Sequence, residues 1–269
     1  MFEQENIPGV NIMLLGDSGS GKTHAIRTLL EAGLEVFVLF TEPGMETLSD
    51  TPPDRLHWHY VPPASPDFAS MIDSAKKINT LDFKTLSNLG DIDKRKCTEF
   101  IDVLVCLSNF KCDRTGQEYG AVDDWKSDRV LVLDSLSGLN ISAMNLVAGT
   151  KPIKSQGDWQ VAVDNLERLI IKLCVDTECH FVLTAHLERE TDEVTGGITL
   201  VSATLGRKLG PKLPRFFSDV IHVKRVVDKF TWSTMTPNLA TKNRYLPIKS
   251  DLPPSFAPIV KKWKEGQKA

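Results

Sequence analysis

The sequence has few cysteines, no long apolar run and little net charge, and each absence excludes a class of protein. Its five cysteines are scattered over 269 residues without a C-x-x-C pair, which is typical of reduced thiols rather than a disulfide scaffold. No apolar run approaches the ~18 residues of a membrane-spanning helix, and no signal peptide opens the chain. We therefore expect a cytoplasmic protein with no membrane partner.

The charge balance argues against one further class. A formal net charge of -3 excludes a strongly basic nucleic-acid-binding protein, although it leaves room for a local basic patch. The content of 41% hydrophobic and 25% charged residues is ordinary for a globular protein. The length allows one large domain or two small ones.

What the sequence does contain is a complete phosphate-loop motif, G-x-x-x-x-G-K-[ST]. It consists of Gly16, Asp17, Ser18, Gly19, Ser20, Gly21, Lys22 and Thr23. An apolar strand at 10–15 precedes it, and a predicted helix at 24–32 follows it and stops at Gly33. Glycines let backbone N–H groups curl around an anion, and the helix N-terminus adds a positive dipole end. The motif predicts that Lys22 neutralises the β- and γ-phosphates of ATP and that Thr23 ligates Mg²⁺.

Three further polar side chains are predicted at the ends of buried strands. Asp134 ends the aliphatic run 130–133, which places its carboxylate beside the phosphate loop as the second Mg²⁺ ligand. Glu42 ends the strand after the phosphate-loop helix, where it can activate the attacking water, with Glu46 as a weaker competitor. His186 ends a later strand and is a candidate for sensing the γ-phosphate, or simply a hydrogen-bonded residue at the rim.

The remaining pattern alternates strands and helices up to residue 186 and then predicts antiparallel strands. This order is typical of one α/β domain, here 1–269, with a mixed, mainly parallel sheet flanked by helices. The predicted strands are 34–40, 56–61, 129–135, 180–186, 220–227, 231–235 and a stretch near Tyr245. The predicted helices are 65–81, 93–110 and 159–177, with a loop at 145–158, a hairpin at 191–201 and a Pro-rich tail at about 246–269.

With these residues placed, the chain resembles the RecA-like P-loop ATPases. It is most similar to short phage-encoded members that keep only the ATPase core and act in single-strand annealing and recombination. The stretch 16–23 matches the Walker A loop of the family, Glu42 its catalytic glutamate, and residues 132–135 its Walker B strand. His186 falls where the family carries a glutamine that senses the γ-phosphate.

The resemblance also implies partners. It implies a homo-oligomer with ATP between subunits, in which Lys242 and Arg244 reach the ATP of a neighbour as catalytic cations; an exposed basic strand end is the alternative. It implies single-stranded DNA at loops near 145–158 and 187–205, and a single-strand-binding protein as a further partner. Cations near these loops are Lys151, Lys154, Arg207, Lys208 and Lys212, whereas Glu188, Glu190, Asp192 and Glu193 are unfavourable near a phosphate backbone.

Rival functions remain open at this point. One is an ATP-controlled assembly or loading factor for a replication protein, and another is the motor part of a packaging or helicase complex. A small-molecule kinase is a third, but the sequence shows no arginine-rich lid after a short helix pair. The ATPase chemistry follows from the residues, whereas the DNA role follows only from the resemblance.

Overall fold

The fold is known from a computed structural model, which describes residues 8–64, 67–88, 97–149, 151–191 and 196–267. Within these ranges, none of the helices combines the length and the apolar character that crossing a membrane requires. All five cysteines lie in the described residues, and none of them forms a disulfide bond, as predicted. Burial raises the pKa of Cys106 and Cys174 to about 12, so both stay protonated at neutral pH.

A seven-stranded sheet forms the centre of the molecule, and its strand order is β3-β2-β4-β5-β1-β8-β9. The first six of these strands run parallel, and β9 pairs antiparallel with β8. A separate antiparallel pair joins β6 and β7. The strands are β1 (Asn11–Leu15), β2 (Glu35–Phe40), β3 (Leu56–Tyr60), β4 (Arg129–Asp134), β5 (His180–Ala185), β6 (Leu187–Thr191), β7 (Ile198–Ser202), β8 (Asp219–Val226) and β9 (Lys229–Ser233). The predicted mixed α/β fold is confirmed.

Most of the described helices pack on the faces of this sheet. They are α1 (Lys22–Ala25), α2 (Arg27–Glu31), α3 (Phe68–Thr80), α4 (Phe83–Asn88), α5 (Glu99–Ser108), α6 (Leu136–Ala148), α7 (Gln156–Val175) and α8 (Ala257–Gly266). Ile26 between α1 and α2 keeps helical φ and ψ of -55° and -32°, so the helical path continues from Lys22 to Glu31. This agrees with the single helix predicted after the phosphate loop.

The central strands are buried on both faces, which explains their nearly continuous apolar sequences. In β1, Met13 and Leu15 pack into the core with α5, α6 and α7. Their neighbours Ile12 and Leu14 point the other way, into the core with α1, α2 and α8. The sheet therefore separates two hydrophobic cores, and its edge at the strand ends is left for polar groups.

Several predicted boundaries are wrong, each for a local reason. The loop predicted at 145–158 is much shorter, because α6 extends to Ala148 and α7 begins at Gln156. A capping box explains that start: the Ser155 hydroxyl accepts the Asp158 N–H, and the Asp158 carboxylate accepts the Ser155 N–H. The first four residues of the helix predicted at 93–110 lie outside the described residues, and the described helix is α5.

The C-terminal region also differs from the prediction. No strand forms near Tyr245 in the described chain; isolated bridges instead join Lys242 to Val220 and Leu252 to Trp232. The predicted tail contains α8, which follows Pro253 and Pro254 closely and has Pro258 in its first turn, so its few apolar positions do not stand out as a helix. Its buried side chains are Ile259, Val260 and Trp263, which belong to the core with α2.

Candidate functional site

All predicted site residues except Lys242 and Arg244 meet at the carboxyl edge of the sheet, where β1, β2, β4 and β5 end side by side. A cleft of about 400 Å³ opens at this edge. Its walls include the phosphate loop from Ser18 to Thr23, Glu42, Asp134 and His186. The parallel strand order explains the convergence, because it aligns the last residues of strands that are distant in sequence. Glu46 also lines the cleft, as an exposed side chain.

The phosphate loop has the backbone conformation that its glycines predict. Gly19 and Gly21 have φ of 71° and 95°, in the left-handed region that side chains other than glycine rarely adopt. Gly16 is needed for a different reason, because a Cβ there would lie 2.4 Å from the carbonyl oxygen of Val223 in β8. The ammonium group of Lys22 donates to the carbonyls of Gly16 and Asp17 at 2.7 and 2.9 Å, which holds it at the loop.

Asp134 is buried behind the loop and is held by two hydroxyl groups. Thr23 Oγ1 donates to one carboxylate oxygen at 2.7 Å, and Thr184 Oγ1 donates to the other at 2.5 Å. Burial raises the pKa of Asp134, while these hydrogen bonds oppose the rise. Burial likewise lowers the pKa of Lys22, and the nearby Asp134 opposes that change. The opposite charges of Asp134 and Lys22 thus stabilise each other where burial disfavours both.

Glu42 lies across the cleft and is positioned by two neighbours. Ser135 Oγ donates to its carboxylate at 2.6 Å, and His186 Nε2 lies 3.9 Å from the same oxygen. His186 first, and then Ser135, lower the pKa of Glu42. The carboxylate is therefore ionised at neutral pH and is able to orient a water molecule or accept its proton.

Hydrogen bonds between the end of β2 and the end of β4 fix the backbone next to Glu42. The Thr41 hydroxyl donates to the Ser135 carbonyl at 2.6 Å and accepts the Ser135 N–H at 3.1 Å, while the Thr41 N–H donates to the Asp134 carbonyl at 2.9 Å. Gly138, in the first turn of α6, makes this approach possible. A Cβ on Gly138 would lie only 2.2 Å from the Thr41 carbonyl oxygen.

Sequence reasoning missed the hydroxyl groups and the glycine that position the carboxylates. These residues are Thr41, Ser135, Gly138 and Thr184. One signal was available, because Thr184 is the only hydroxyl-bearing residue within the buried run of β5, two residues before His186. Nothing in the sequence indicated Gly138, since its role arises from the approach of β2 to α6.

The other two predicted catalytic residues, Lys242 and Arg244, lie apart from the cleft of their own chain. Both side chains are exposed. The Lys242 backbone pairs with Val220, which is level with Met13 in the middle of β1. The Arg244 N–H donates to Asp219, which is level with Ile12, closer still to the opposite edge.

The predicted DNA-contacting residues have mixed surroundings. Lys151 is paired with Asp158 at 2.9 Å, and Lys154 donates to the Lys151 carbonyl at 3.4 Å, so both are engaged within the chain. Exposed cations are Arg207, Lys208 and Lys212, and Glu188 is exposed on β6. The other acidic residues are Glu190, which is half-buried, and Asp192 and Glu193, which lie outside the described residues.

The fold and this cleft define a P-loop nucleotide-binding domain of the ATPase type. The comparison with family models agrees, and the chain belongs to the AAA_24 family, described as an AAA domain, whose model matches residues 9–245. No curated protein matches the sequence. The family therefore establishes the class of domain, and the site residues carry the rest of the functional argument.

The oxygen ligands and the phosphate loop in the cleft fit Mg²⁺ and a nucleoside triphosphate. Mg²⁺ prefers oxygen ligands and is often held by one or two protein groups together with phosphate oxygens. Thr23 and Asp134 supply such a pair, with their oxygens 2.7 Å apart. Gly19 leaves its backbone open to phosphate oxygens, since a Cβ on this residue would have no neighbour within 4 Å.

Gly138→Ala is expected to destabilise the protein by about 1–3 kcal/mol or more, because the backbone of Thr41 has no room for a methyl group. Chemical denaturation with urea measures the effect. An alanine within an ordinary helix has the opposite tendency.

Gly157→Ala is the matched control, because this helical glycine in α7 meets only Ser155 Oγ, at 3.7 Å. We expect unchanged or slightly increased stability for this variant. Equal effects at both glycines would show that the junction at Gly138 tolerates the methyl group.

Proposed function

We propose that the protein is a Mg²⁺-dependent ATPase that converts ATP to ADP and phosphate. The convergence of Lys22, Thr23, Asp134 and Glu42 at one sheet edge carries this proposal. Three of these groups are suited to bind Mg·ATP, and the fourth is an ionised carboxylate across the same cleft. A domain that only binds nucleotide needs the first three but has no need of the fourth.

Each side chain has a defined task in the proposed reaction. Bound Mg²⁺ supplies neutralisation of the phosphate charge. Lys22 stabilises the negative charge that spreads over the phosphate oxygens, and the phosphate-loop N–H groups add to this effect. Glu42 orients the attacking water and accepts its proton, with its carboxylate held by Ser135. In this proposal His186 senses the γ-phosphate, and its Nε2 lies 3.9 Å from the carboxylate of Glu42.

Glu42→Gln is expected to retain ATP binding and to lower turnover by ~100-fold or more, the scale typical of a general base. The amide keeps the shape and much of the hydrogen bonding of Glu42 but cannot accept the proton. Binding of an ATP analogue and steady-state phosphate release measure the two effects separately.

Lys22→Ala is the reference variant, because it removes the cation that contacts phosphate and should lose binding and turnover together. If Glu42→Gln lost binding to the same extent, Glu42 would have a structural role. Unchanged hydrolysis in Lys22→Ala would overturn the ATPase assignment itself.

We further propose that the protein works as a RecA-like homo-oligomer with ATP between subunits. Among the residues described for the cleft, none is an arginine, and Lys22 is the only lysine. Lys242 and Arg244 are exposed, and neither is among the residues that line the cleft of their own chain. Their position supports a role on the ATP of a neighbouring subunit, where they would stabilise the transferred phosphate.

Mixing two inactive variants tests this arrangement. We expect Lys22→Ala and the double variant Lys242→Ala/Arg244→Ala to be inactive separately and to regain part of the activity when mixed. Some interfaces of a mixed oligomer join an intact phosphate loop to intact cations. No recovery in mixtures that co-assemble by light scattering would contradict action between subunits.

Single-stranded DNA is the proposed substrate partner, and exposed Arg207, Lys208 and Lys212 support it. The resemblance to short phage-encoded RecA-like proteins supports the proposal of a role in annealing, recombination or replication, with a single-strand-binding protein as a further proposed partner. An ATP-controlled assembly factor is the second candidate, because the exposed Glu188 on β6 is unfavourable next to a DNA backbone.

Lys208→Ala/Lys212→Ala is expected to weaken single-stranded DNA binding and to lower the salt dependence of that binding. Each phosphate contact that is lost reduces the number of counterions that binding releases from the DNA. Fluorescence anisotropy over a salt series measures both. Lys261→Ala is the control, because this exposed lysine lies on α8, against the opposite face of the sheet. Absent or salt-insensitive binding by the unmodified protein would favour the assembly factor.

A further inference from the structure

Phe230 is the only phenyl ring that lines the cleft within the described part of the chain, and its position calls for an explanation. The other lining groups are mostly polar or charged, as a site for phosphates requires. Phe230 is nevertheless 40% exposed, so a large part of an apolar ring faces solvent beside the phosphate loop. A triphosphate and its metal ion gain little from such a wall.

The ring is held firmly against the phosphate loop. A Cβ on Gly21 would lie 2.8 Å from Phe230 Cδ1, so the loop backbone and the ring are in close contact. Phe230 pairs across the hairpin with Arg225, whose guanidinium carbon lies 5.4 Å from the ring centroid. Strand β8, which carries Arg225, is itself packed against the loop at Gly16.

These contacts hold the apolar ring of Phe230 at the rim of the predicted phosphate site. The nucleoside of ATP is joined to the phosphates at one end, so it must extend from the loop along a neighbouring wall of the cleft. Base–aromatic stacking strengthens binding and tolerates different bases, because every base has a π-face. An aromatic ring that is preordered also loses little conformational entropy on binding.

We propose that Phe230 is the platform on which the base of the bound nucleotide stacks. This inference rests on the proposed ATPase function and adds the group that recognises the nucleoside. It assigns the phosphates to the loop 16–23 and the base to the β8–β9 hairpin. Phe230 then contributes to nucleotide affinity but takes no part in the chemistry at the γ-phosphate.

A comparison of an ATP analogue with inorganic triphosphate distinguishes two roles of Phe230: stacking on the base, and supporting the conformation of the phosphate loop. We expect Phe230→Ala to weaken the binding of a non-hydrolysable ATP analogue by about tenfold, within the range of single stacking contacts. Binding of inorganic triphosphate in the presence of Mg²⁺ should stay unchanged, because it has no base. Phe230→Trp should restore the affinity for the ATP analogue. Isothermal titration calorimetry measures all three.

Phe83→Ala is the matched control, since it removes an equally large exposed ring on α4 and should leave both affinities unchanged. Equal losses for the ATP analogue and triphosphate in Phe230→Ala would mean that the ring supports the loop, and no loss for either would mean that it has no binding role. Both results overturn the inference. The proposed function fails separately, if Lys22→Ala leaves the binding of both ligands intact.

Discussion

The arrangement of this site depends on the buried carboxylate of Asp134. A lone ionised carboxylate is costly in an apolar interior, so it must be satisfied by donors and countercharge. Here the donors come from two other segments, Thr23 after the phosphate loop and Thr184 in β5, and Lys22 supplies the charge. The same contacts that offset the burial of Asp134 also set the distance between the loop and β4. The need to satisfy the buried carboxylate of Asp134 therefore also determines the geometry of the cleft.

Strand order makes that constraint possible. β5 lies between β1 and β4, so the phosphate loop and Asp134 are separated by one strand, and Thr184 fills the gap between them. On the other side of β4, β2 brings Glu42 to the same edge, and the junction between Thr41 and Ser135 ties the two strand ends together. The two carboxylates thus approach the cleft from adjacent strands that differ in role: Asp134 is enclosed, whereas Glu42 faces the opening.

Much of this arrangement could be predicted from the sequence, because strong local patterns carry it. The glycines around Lys22 and the aliphatic run before Asp134 define both the strands and the residues at their ends. Gly138 and Thr41 could not be predicted in the same way, because their importance lies in a contact between segments 94 or more residues apart. The start of α7 was misplaced because Pro152 and Gly157 favour a loop, whereas the Ser155 capping box begins the helix. The α8 helix was missed because prolines obscure its short amphipathic pattern.

The C-terminal helix has a consequence for how this domain is delimited. Family similarity ends at residue 245, yet Phe256, Ile259 and Trp263 complete the apolar core beside α2, and the Phe256 N–H donates to Thr28 Oγ1. The ring of Phe256 also packs edge-on against Trp232 in β9. A fragment cut at the family boundary would present these apolar surfaces to water and would favour self-association. The unit whose apolar core is complete is thus longer than the unit that sequence similarity recognises.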